Sequence, residues 1–244
     1  MTLRVVTWNM NHRVKLKKCA WNFLRYEVAP DIALVQEAHP PDDLGEGERF
    51  VYPEIEEIRG KIGASGIWSR ALPIHRIGIT TALPDALVAA TFTLPKSETR
   101  FHVISMYGTF DETSHVTPNL HRMISDLHPV FTSRASRERI ILGGDWNIDP
   151  KYNENYPSSA PLHRIVLERL EDPFYGLQKC NKESLRTINH GSKFSYQDDY
   201  IYVSKWLIRR LISCDVVKVN FPPFFGQKSG ARKVHRSRSL SGLC

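Results

Sequence analysis

The 244-residue chain has no run of about 18 apolar residues, so no segment is long enough to cross a bilayer as a helix. Nor does it open with an apolar stretch of signal-peptide length: Asn9, Asn11, His12 and Arg13 interrupt the first apolar run early. A cytoplasmic location, or a nuclear one, is therefore expected. Cysteine is scarce and scattered. Cys19, Cys180, Cys214 and Cys244 form no Cys-x-x-Cys pair, which gives no support to a zinc ribbon or a dithiol redox motif and fits reduced thiols. No internal repeat recurs at a solenoid period. Acidic residues are missing from positions 216–244, which carry six of the 33 Lys and Arg residues. The preceding 215 positions hold the other 27 basic residues and all 26 acidic ones, so the body is nearly neutral. A cationic end can sit near phosphates, and it is as often simply solvated.

Apolar runs alternate with helix-period stretches, the pattern of an α/β fold. Leu3 to Trp8 reads as a strand. Lys17 to Val28 reads as a helix with Trp21, Leu24 and Val28 on one stripe, stopped by Pro30. Further strands are expected at 31–35, 66–69, 87–94, 101–106, 140–142, 200–203 and 215–219, and helices at 119–131 and 162–170. Residues 40–60 and 149–160 are turn-rich and read as exposed connections. One domain over residues 1–221 is expected, followed by a disordered basic tail over 222–244, in a chain that acts as a monomer.

The most informative stretch is Gly143-Gly144-Asp145-Trp146-Asn147, entered directly from Ile140-Ile141-Leu142. A buried strand would deliver a carboxylate and a carboxamide to its C-terminal end. Alternation along that strand would turn both the same way and send Trp146 into the core. The glycines would let a ligand approach the backbone closely. Four more strand ends carry comparable groups: Asn9 and Asn11 after the first strand, Glu37 after the second, Tyr107 after Met106, and Asp199 before Tyr200. Each taken singly is more often a turn former, a helix cap or a half-buried aromatic. Together, if the strand ends converge, they make an oxygen-rich cluster without cysteine. Such a donor set selects Mg²⁺ or Mn²⁺ over zinc and suits phosphate-ester hydrolysis by an activated water.

In this order, Thr-Trp-Asn at 7–9, Leu-Val-Gln-Glu at 34–37, Met-Tyr-Gly at 106–108, Gly-Gly-Asp-Trp-Asn at 143–147 and Asp-Tyr-Ile-Tyr-Val-Ser at 199–204 resemble the endonuclease/exonuclease/phosphatase superfamily. The resemblance runs from Arg4 to about Val219. It implies a four-layer α/β sandwich, with two central mixed sheets flanked by helices. It also implies roles: Glu37 as main metal ligand, Asn9 as support to metal and phosphate, and Asn11 at a second metal position. Asp145 would align or deprotonate the attacking water, and Asn147 would hold a phosphoryl oxygen. Tyr107 stands where the abasic-site enzymes of the family place a tyrosine, and Asp199 would orient a catalytic histidine. The implied activity is a Mg²⁺-dependent, nuclease-like phosphodiesterase acting on a phosphodiester such as DNA. An impaired member that binds phosphorylated ligands or a partner, and a phosphatase or sphingomyelinase-like hydrolase, are the alternatives.

One family element is missing. No Ser-Asp-His occurs in the sequence, although the family ends on such a segment, which opens a final core strand. The only histidine in the corresponding region is His235, in a basic context with no apolar strand after it, so no final core strand is legible there.

Overall fold

The computed structural model describes residues 2–11, 17–53, 64–95, 99–113, 115–133, 139–149, 160–180, 187–190, 194–218 and 233–240. Two six-stranded sheets stack face to face. The first contains β1 (Leu3–Asn9), β2 (Ile32–Ala38), β3 (Arg49–Val51), β4 (Ala64–Ser69), β13 (Leu211–Lys218) and β14 (Lys233–Leu240), ordered β13-β14-β1-β2-β4-β3. The second contains β5 (His75–Arg76), β6 (Leu87–Thr93), β7 (Arg100–Met106), β8 (Ile140–Asp145), β9 (Leu177–Lys179) and β12 (Asp199–Ser204), ordered β5-β6-β7-β8-β12-β9. A separate hairpin pairs β10 (Ile188–His190) with β11 (Phe194–Tyr196). Both sheets are mixed: β1 runs parallel to β2, and β7 parallel to β8, among antiparallel neighbours. Outside the first sheet lies α1 (Lys17–Asn22). Outside the second lie α2 (Thr117–Asp126), α3 (His128–Thr132) and α4 (Ala160–Glu171), while the short α5 (Lys205–Ile208) links β12 to β13. No helix among the described residues is long and apolar enough to cross a membrane.

Continuous apolar runs form the central strands because both faces of each sheet are covered. Alternation splits every run between two cores. Val5, Leu34, Val103, Ile141 and Ile201 face inward and fill the space between the sheets. Their neighbours Val6 and Val35 face outward and pack with Trp21, Leu24 and Val28 of the first helical layer. Ile104, Leu142 and Tyr202 face outward from the second sheet onto Leu120, Ile124 and Val166. The result is helix, sheet, sheet, helix, the four layers that the resemblance implied.

The structure departs from the sequence expectation at several elements. The stretch 40–60, expected as an exposed connection, contains β3, which pairs with β4. The helix expected at 17–28 changes pitch, with a π-helical turn over Phe23–Val28. Ala29, left-handed at φ 50°, closes it by donating its N–H to Leu24 O at 2.9 Å. The helix expected at 119–131 is two helices, since Pro129 lacks the N–H needed to continue the ladder across Leu127. Residues 233–240, expected within a disordered tail, form β14, paired on one side with β13 and on the other with β1. Pairing along both of its edges engages its main-chain donors and acceptors, which composition does not reveal.

The glycines before Asp145 serve the chain itself, not a ligand's approach. A Cβ on Gly144, whose φ is +156°, would stand 1.7 Å from Met106 O of the neighbouring strand. One on Gly143 would lie 2.9 Å from both Leu34 Cδ1 and Tyr200 O. Neighbouring backbone cannot yield as a flexible side chain does. Gly144→Ala is expected to destabilise the fold by about 3 kcal/mol, the upper end for overpacking, measured as a lower urea midpoint at unchanged m-value.

Candidate active site

The inward parity that builds the core between the sheets also builds the site. Continuing it past the last apolar residue of each strand puts Asn9 two places beyond Thr7, Tyr107 two beyond Ser105, and Asp145 two beyond Gly143. Asp199 begins β12 two places before inward Ile201. All four are thereby set at one edge of the sandwich, between the sheets. Asp199 is the Cα partner of Asp145 across β8 and β12, so their side chains stand on one face of the antiparallel pair.

Glu37 does not follow that parity. Leu34 and Gln36 face inward, so simple alternation would turn Glu37 out toward the helical layer. The β2–β4 register shifts between Val35 and Ala38, and Glu37 adopts the left-handed φ of 47°. This bulge re-aims the carboxylate into the cleft. Asn11 and Asn147 have φ of 52° each, so among the described residues three of the four non-glycine residues with positive φ are ones that the sequence had marked for the site. Backbone held in this region collects at functional sites, where the surroundings enforce it.

The side chains form one hydrogen-bonded network. Asn9 Nδ2 donates to Glu37 Oε1 at 2.8 Å and to Asp145 Oδ2 at 2.6 Å. The Tyr107 hydroxyl donates to Glu37 Oε1 at 2.7 Å. The Asn147 N–H donates to Asp145 Oδ1 at 3.0 Å, and its Nδ2 to Gly108 O at 2.9 Å. Asn147 therefore joins through a turn beyond the end of β8, not through strand alternation. Trp146, as expected, turns away; it is fully buried and stacked on Tyr200 and Tyr202. Asn11 enters by its backbone, donating its N–H to Asn9 Oδ1 at 2.7 Å. Asp199 adjoins by register, its N–H donating to Thr187 Oγ1 at 3.2 Å. His235 is the Cα partner of Thr7 in β14, two residues short of Asn9.

Electrostatically the site is a concentration of acceptors. Asp145 and Asp199 are 2% and 5% exposed. Neighbouring buried carboxylates are costly without a compensating cation or a dense set of donors. Tyr107 feels this directly: burial, then the charge of Glu37 and its hydrogen bond, push the phenol well above its ordinary pKa, so it remains a donor. Among the described residues no three His, Cys, Asp or Glu side chains form a metal-ligand cluster. The oxygen set is carboxylates completed by carboxamides. That composition fits Mg²⁺, which takes one or two carboxylates and keeps waters, and does not fit zinc.

Sequence reasoning missed the support beneath. Gln36 is fully buried; its Nε2 donates to Ser105 Oγ at 2.9 Å across the two sheets, while its Oε1 accepts from Thr7 Oγ1 at 3.3 Å. A glutamine inside Leu-Val-Gln-Glu was the available signal, since an uncharged polar residue in a fully covered strand requires partners.

The Endonuclease/Exonuclease/phosphatase family model matches residues 6–217. The chain belongs to this family. Solved structures share its fold. The AP endonuclease LMAP from Leishmania major has a TM-score of 0.71 at 14% identity, over 98% of this chain and 87% of that one. The endonuclease domain of TRAS1, a telomere-specific non-LTR retrotransposon, has a TM-score of 0.68 at 14% identity, over 99% and 100%. The 3′ phosphatase NExo from Neisseria, bound to a product DNA hairpin, has 0.66 at 18%, over 97% and 98%. No curated protein matches the sequence.

The Tyr107, Tyr200 and Tyr202 phenols are all pushed up from the usual 10.0, chiefly by burial. Below that pH both folded and unfolded chains keep these protons, and above it only the unfolded chain loses them. Stability against urea should therefore fall as pH rises past about 10, and Tyr107→Phe should make the fall shallower.

Proposed function

We propose that this chain hydrolyses phosphodiesters with the help of Mg²⁺ or Mn²⁺, as a nuclease-like enzyme whose substrate class includes DNA. The observation that carries the reading is the single network joining Asn9, Glu37, Tyr107, Asp145 and Asn147 across the two sheets. Membership of the family supports it. Glu37 would hold the metal, with Asn9 and Asn11 beside it. The ion, when bound, supplies positive charge against the phosphate and the leaving oxygen.

The chain's own groups do the rest. Asp145 is fixed by donors on both oxygens, Asn9 on one and the Asn147 N–H on the other, and is placed to orient a water for in-line attack and take its proton. Tyr107 keeps its proton and can donate to a phosphate oxygen. Asn147, held by Gly108 O, positions a second phosphoryl contact. Asp199, next to Asp145, holds the far side of the site. Asp145→Asn is expected to lower cleavage of plasmid and abasic-site DNA by about 10²–10⁴-fold, and chelation by EDTA to abolish it. Cleavage indifferent to both would end the proposal.

A second reading has one specific observation behind it. The sequence contains no Ser-Asp-His, the family's source of an imidazole for the phosphate. An impaired chain would bind phosphorylated ligands without turnover. Turnover above that of Asp145→Ala on a panel of phosphodiesters and monoesters excludes this reading, and the salt dependence of binding separates nucleic acid, with its steep slope, from a small phosphate ester.

A further inference from the structure

Two thiols at one flank of the sandwich meet between the sheets. Cys180 follows β9, the edge strand of the second sheet, and anchors its N–H on Ile201 O at 2.9 Å. Cys214 lies in β13, the edge strand of the first sheet, in register with Ser237. Cys180 is a buried member of the core between the sheets, and Cys214 packs against that core from its partly exposed rim. The two side chains pack within one core cluster and act directly on each other, and both are thiols.

The chain between them runs through β10, β11, β12, α5 and the first residues of β13, crossing from one sheet to the other. Asp199 heads β12, so the site's last carboxylate lies inside the loop the two cysteines would close.

We propose that Cys180 and Cys214 are a disulfide site, closed by a peroxide, that staples the two sheets at this flank. Cys214, the more exposed thiol, meets the oxidant first. Its thiolate attacks a peroxide oxygen: an S–O bond forms, the O–O bond breaks, and the departing hydroxide takes a proton to become water. Cys180 sulfur then attacks the sulfenic sulfur of Cys214. The S–S bond forms, the S–O bond breaks, and hydroxide leaves with the Cys180 proton as a second water. Two thiols have lost two electrons in all, and hydrogen peroxide has gained them. The neighbouring Cys214 and then burial hold the Cys180 thiol well above the usual value, which suits it to resolve the sulfenic acid more than to start the reaction. Such a bond restrains the unfolded chain and ties the two edge strands together.

The test uses the full chain, hydrogen peroxide and no phosphate substrate, so its outcome is independent of the hydrolase reading. Peptide mapping without reductant should recover a Cys180–Cys214 cross-linked peptide that disappears with phosphine reductant. The oxidised chain should stay monomeric and gain about 5–10 °C in Tm. Cys214→Ser should abolish both effects, and Cys180→Ala serves the same end should that serine variant misfold; Cys19→Ser should leave both intact. The proposal is overturned if peroxide that oxidises exposed Cys19 yields no such peptide, if Cys214 goes instead to sulfinic or sulfonic acid, or if the cross-link joins another pair.

Discussion

One carboxamide bridges the two sheets at the point where their chemistry meets. Asn9 belongs to the first sheet, and its nitrogen donates both to Glu37 of that sheet and to Asp145 of the second. Two acceptors that would otherwise repel are drawn onto a common neutral donor. Their placement presupposes the whole sandwich, because Asn9 and Asp145 lie 136 residues apart in the chain and meet only when the apolar faces of β1, β2, β7 and β8 have closed on each other.

Much of this arrangement was legible in the sequence for a simple reason. Period-two alternation is a local property, and it continues past the core into the site. Once Val5 and Ile141 are read as inward, Asn9 and Asp145 follow by counting in twos. The same rule misplaces Glu37, because a bulge with positive φ is set by pairing with β4 and not by the residues of β2 alone. It does not account for Asn147, which meets Asp145 through its backbone N–H from a turn beyond the strand. The final strand was illegible for the opposite reason. Lys233 to Leu240 have no apolar alternation, and main-chain pairing leaves no trace in side-chain pattern. The π-helical turn was equally hidden, because its apolar stripe satisfies a helix of ordinary pitch nearly as well.

The glycines show how one residue type supports two readings. Between a strand and a site, Gly143-Gly144 suggests room for a ligand. The room is already taken, by Met106 O on one side and by Leu34 and Tyr200 on the other. Gly144 secures the close approach of β7 and β8, whose ends carry Tyr107 and Asp145, and Gly143 that of β12 and the facing sheet. The chemistry depends on these glycines through backbone spacing and not through contact.

The Thr7–Gln36–Ser105 bridge has a further consequence. Apolar sheet faces can slide over one another by fractions of a residue at small cost, since dispersion is poor at distinguishing nearly equivalent packings. Directional bonds lack that tolerance. A polar link buried just below the cleft therefore acts as an alignment pin: it adds little cohesion but fixes the lateral offset of one sheet against the other. An all-aliphatic replacement of the three would keep a cohesive sandwich while giving up control of the offset, and with it the common focus of side chains arriving from opposite sheets.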